Sequence, residues 1–120
     1  MTKQSLAAAL YLAYAVAAQD GFQEEESWVL GNELNSFKLS DEDNAQVTEL
    51  FKRMDVDTAV DIIRDSDQAT KDEAQAVIFL TLLNDRVIDP AETSAYQAIC
   101  ERCGLIRSLS INDAHAIIGF

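Results

Sequence analysis

Three groups of residues in this sequence have types and spacings that can do chemistry. Two are acidic: "QDGFQEEE" over residues 19–26 and "NDRVIDPAE" over 84–92 each follow an Asp with a Glu a few residues on. Ionised carboxylates are hard oxygen donors suited to Ca²⁺ or Mg²⁺, and like charges held close are costly unless a cation or a proton neutralises them. The same residues also have a purely structural use. A loop Asp can accept hydrogen bonds from its own backbone, and a Glu in the first turn of a helix meets free N–H groups and the positive end of the dipole. Neither stretch has the D-x-D-x-D-G spacing of an EF-hand.

The third group is "CERC", Cys100 and Cys103. One C-x-x-C with a distant His115 and no second pair supplies at most half of a structural zinc site. A redox role asks for an electropositive setting that lowers a thiol pKa, and the adjacent residues are Arg102 and Glu101, which oppose each other. The pair also falls in register with Tyr96 and Ile99 on an apolar helical stripe, where cysteine behaves as a small hydrophobe. His115, in "DAHAIIG", reads as a terminal packing or surface residue, the serines fall at helix caps, and no Gly-rich phosphate loop or nucleophile elbow is present.

The elements that must position these groups are helical. The chain has 120 residues, one proline, four glycines and 48% hydrophobic residues, and no stretch sustains an apolar–polar alternation. That length makes one domain, 1–120, burying roughly two-thirds of its unfolded surface. Start signals recur: Ser40 with Asp43, Thr70 with Glu73, Asp89 with Pro90 and Glu92, and Ser110 with Asp113. At "CGL", Gly104 can take the left-handed conformation and Leu105 can fold back on the last turn. These signals predict an all-α domain of about seven helices, over 4–18, 24–37, 41–53, 56–65, 70–84, 89–103 and 111–118. Gly31, inside the second, suits close helix packing.

The stretch "LAAALYLAYAVAAQ" after Lys3 admits two readings. It resembles the apolar core of a secretory signal peptide cut near Ala18, or it is a buried first helix. An internal comparison favours the helix. "LAYAVAAQDGFQEEESWVLGNEL" and "VIFLTLLNDRVIDPAETSAYQAIC" share one plan, an apolar helix, an Asp-led loop and a helix with an acidic opening. A shift of 65 residues aligns Asp20 with Asp85, and a shift of 66 aligns Glu26 with Glu92, so the first loop is one residue shorter. Tyr11 and Tyr14 also suit a buried helix better than an export tag, and the stretch is expected to stay in a cytoplasmic protein.

These motifs resemble the TerB-like domains, a family named for a tellurite-resistance protein and also found at the front of some membrane-anchored J-domain co-chaperones. The resemblance runs over residues 6–106 and is best in "VDTAVDIIRDSDQATKDEAQAVIFLTLLNDRVIDPAETSAYQAICERCGL", with "AAQDG" as the matching signature of the first half. It implies an all-helical fold with a pseudo-twofold pair of helical hairpins, and acidic loops connected with divalent cations. It implies no reaction. The family's loop Asp falls on Asp20 and Asp85 and its helix-start Glu on Glu92 and Glu26, which makes these four the expected metal set, with Ca²⁺ or Mg²⁺ as the ion. Arg86 stands where the family has a glycine after the second Asp.

Charge narrows the partners. With 21 acidic against 9 basic residues the net charge is −12, and the Lys and Arg are scattered from Lys3 to Arg107. A phosphate backbone would be repelled, which argues against nucleic acid. No apolar run reaches the ~18 residues needed to cross a bilayer. The expected function is a non-catalytic stress-response module with a basic protein partner. The alternative is a small thiol-redox protein or enzyme using Cys100 and Cys103.

Overall fold

The computed structural model describes residues 2–17, 40–84 and 90–105. All regular structure among them is helical, in five helices: α1 (Lys3–Ala17), α2 (Asp41–Arg53), α3 (Val56–Arg64), α4 (Gln68–Asn84) and α5 (Pro90–Cys103). The helices expected at 24–37 and 111–118 lie outside the described residues.

Helix α1 is rich in Ala and Leu, the strongest helix formers among apolar residues. Thr2 caps it, its hydroxyl accepting from the Ser5 N–H at 3.0 Å. Ser5 through Leu10 are buried without interruption, as are Leu12, Ala13 and Val16. A helix apolar on every side must be enclosed on every side, and α1 packs against each of the other four, most extensively against α4 and α3. The many alanines let those neighbours approach closely. The stretch that resembled a signal peptide is the central helix of the core. Lys3, its one cation, reaches from the first turn of α1 to the Asp43 carboxylate on α2 at 3.0 Å and to Gln46 Oε1.

The outer helices are delimited by their caps. Ser40 accepts from the Asp43 N–H at 3.2 Å and opens α2, whose first turn is Asp41, Glu42 and Asp43 and whose last carries Lys52 and Arg53, both complementing the dipole. Asp55 accepts from the Thr58 N–H at 2.7 Å and opens α3. Helix α4 starts two residues before the expected position because Asp67, and not Thr70, is the cap; its carboxylate accepts from the Thr70 N–H at 2.8 Å. At the end of α5, Gly104 has φ +71°. The Leu105 N–H reaches the Cys100 carbonyl at 2.8 Å and the Gly104 N–H the Glu101 carbonyl at 3.3 Å, the double closure expected of "CGL".

Around α1, the core is filled by Val47 and Phe51 of α2, Ala59, Val60 and Ile63 of α3, Ala74, Val77 and Ile78 of α4, and Ile99, Cys100 and Cys103 of α5. Tyr11 and Tyr14 are half-buried and close over Phe51, with ring centroids 5.4 and 5.8 Å from it. Among the described residues, no helix is long and apolar enough to cross a membrane.

Candidate functional site

The thiol pair sits on the inner face of α5. Cys103 is fully buried and Cys100 nearly so, both as free thiols in the core cluster. Spacing explains the burial: Ile99, Cys100 and Cys103 lie on one stripe of α5, which packs against α1, α3 and α4, and Leu105 beyond its end is buried in the same core. Burial pushes the Cys103 thiol up to about 11, with the neighbouring Cys100 adding to the rise; Arg102, Arg64 and Lys71 oppose it without reversing it. Cys100 is raised in the same direction, also by burial. A thiol with a raised pKa holds less of the nucleophilic thiolate at neutral pH. Arg102 pairs with Asp57 of α3 at 2.7 Å, which engages its charge away from the sulfurs.

Above the thiols, the Gln75 side-chain amide donates to the Tyr96 hydroxyl at 3.3 Å, joining α4 to α5. Gln75 is buried, and Tyr96 is half-buried with its phenol pushed up to about 12, chiefly by desolvation. The Phe79 ring lies near that of Tyr96, tilted by 50° at a centroid distance of 6.1 Å. Gln75, Tyr96 and Phe79 are uncharged, so none of these side chains supplies a charge to activate a proton donor or acceptor.

Of the four expected metal residues, Asp20, Glu26 and Asp85 lie outside the described residues. Glu92 is the third residue of α5, where only the backbone is described. His115 also lies outside. Among the described residues, no three His, Cys, Asp or Glu side chains come together as a metal set.

Most of the acidic charge that is described lies on α2 and α3 and at their ends, with Asp72 and Glu73 on α4 and Glu101 on α5. Asp57 and Asp61 on α3 and Asp65 at its C-cap are exposed at successive turns, with Arg64 held by Asp61 at 2.8 Å and by Asp65 at 3.6 Å. Asp55 and Asp67 are held below the usual carboxylate range by the backbone N–H groups that they cap, and Asp43 by the hydrogen bond from Lys3. Along α2 runs a groove of about 430 Å³, walled among the described residues by Asp41, Asn44, Ala45, Thr48, Glu49 and Lys52. Asn44 Oδ1 and Thr48 Oγ1 are shut off from solvent and have no hydrogen-bond partner. Sequence reasoning passed over both. The available signal was their register, since Asn44 and Thr48 flank the buried Val47 and Phe51 on the inward side of α2.

No family model matches the chain, and no curated protein matches it. Its fold is similar to that of a crystal structure of a protein of unknown function from Porphyromonas gingivalis, with a TM-score of 0.74, 20% sequence identity, and coverage of 100% of this chain and 91% of that one. At that identity the likeness is one of fold.

Proposed function

We propose that this chain is a non-catalytic helical module of the TerB-like kind, serving a stress response in the cytoplasm, with an acidic surface for a basic protein partner and a divalent cation between its two acidic loops. The observation that carries the non-catalytic reading is the state of the thiols, which are packed into the core with raised pKa values. The partner reading is supported by a charge of −12 and by the carboxylates on the outer faces of α2 and α3.

In its finer form the reading has about seven helices in a pseudo-twofold pair of hairpins. Helices α4 and α5 would be the second hairpin, in mutual contact and joined through residues 85–89, and α1 with the helix at 24–37 the first. Asp20, Glu26, Asp85 and Glu92 would then form an all-oxygen set of the kind that Ca²⁺ and Mg²⁺ prefer. Binding to the native state alone stabilises it by about 2.7 kcal/mol at a hundredfold excess over Kd, a melting shift of roughly 10 °C at this size. Millimolar Ca²⁺ or Mg²⁺ is expected to raise the melting midpoint, EDTA to return it, and Asp85→Asn to abolish the response. Because salt screening also stabilises a strongly acidic chain, NaCl at matched ionic strength is the control. If NaCl reproduces the whole effect, or Asp85→Asn leaves it intact, the carboxylates are caps and the cation reading fails.

A further inference from the structure

We draw no further inference here: the strongest candidate, the pair of free thiols Cys100 and Cys103 one turn apart on the core-facing side of α5, is enclosed in the core cluster with no third metal-ligating side chain beside it among the described residues, so nothing in the structure shows a metal or an oxidant reaching it.

Discussion

Helix α1 and helix α3 fold by opposite means. Helix α1 is apolar on all sides and is enclosed by four neighbours, whereas α3 shows Ala59, Val60 and Ile63 to the core and Asp57, Asp61 and Arg64 to solvent. In α1 burial is the whole basis of stability and leaves little surface for recognition. In α2 and α3 the buried residues fall on one stripe and the other faces carry exposed charged residues. The molecule thus separates its work by layer, with neutral residues and thiols inside and carboxylates outside.

The largest test of this contrast is a charge placed in each helix. Leu10→Asp puts an unpaired carboxylate at a fully buried site of α1, and is expected to cost more than ~4 kcal/mol and abolish a cooperative urea transition. Asp61→Asn, on the exposed side of α3, is expected to leave the midpoint unchanged within error. A folded Leu10→Asp variant would mean that α1 is not the hub.

Alkaline pH probes the inner layer next. The Cys103 thiol goes from an ordinary 9.0 to about 11 in the folded state, so the native state favours the protonated thiol. The resulting stability is fully present below pH ~9 and is lost as pH rises toward 11, on the order of 2 kcal/mol. Tyr96, raised to about 12, continues the loss above pH ~10. Denaturant titrations across this range should show the decline, and Cys103→Ala should flatten its first part. On the acid side the sign reverses for Asp43, Asp55 and Asp67, whose folded pKa values are lowered: their contribution holds above the carboxylate range and is lost as pH falls through it.

Smaller effects belong to helix ends. Gly104→Ala forces a side chain into φ +71° and should cost about 1 kcal/mol. Ser40→Ala removes the α2 cap and should cost ~0.5 to 1 kcal/mol. The smallest belongs to the Arg102–Asp57 pair, which joins α5 to α3 in solvent. Arg102→Gln should shift the midpoint barely, and not at all in high salt, as expected of exposed ion pairs.

Much of the fold was legible because its signals are local. The "CGL" stop depends on one glycine and one leucine, and the Ser40 start on one hydroxyl placed before three acids; both formed as expected. The start of α4 was misplaced because Asp67 and Thr70 are both competent caps, and only the backbone path decides between them. The inward register of Cys100 and Cys103 followed from Tyr96 and Ile99. The polar atoms of Asn44 and Thr48 were not legible as unmet, since that depends on which neighbours close over α2 and not on helix periodicity. The pairing of Asp20 with Asp85 and of Glu26 with Glu92 came from an internal comparison that includes residues outside those described.

The central claim, that the thiols belong to a neutral, inert core beneath an acidic surface, is tested most directly by thiol reactivity in the native protein. With a thiol-specific colorimetric disulfide reagent at neutral pH, Cys100 and Cys103 should react only as fast as the structure opens, and at once when guanidinium unfolds the chain. The protein should also fail to accelerate insulin reduction by dithiothreitol. Rapid reaction of both thiols in the folded state, together with turnover in the insulin assay, would contradict the account and make the C-x-x-C pair the working site.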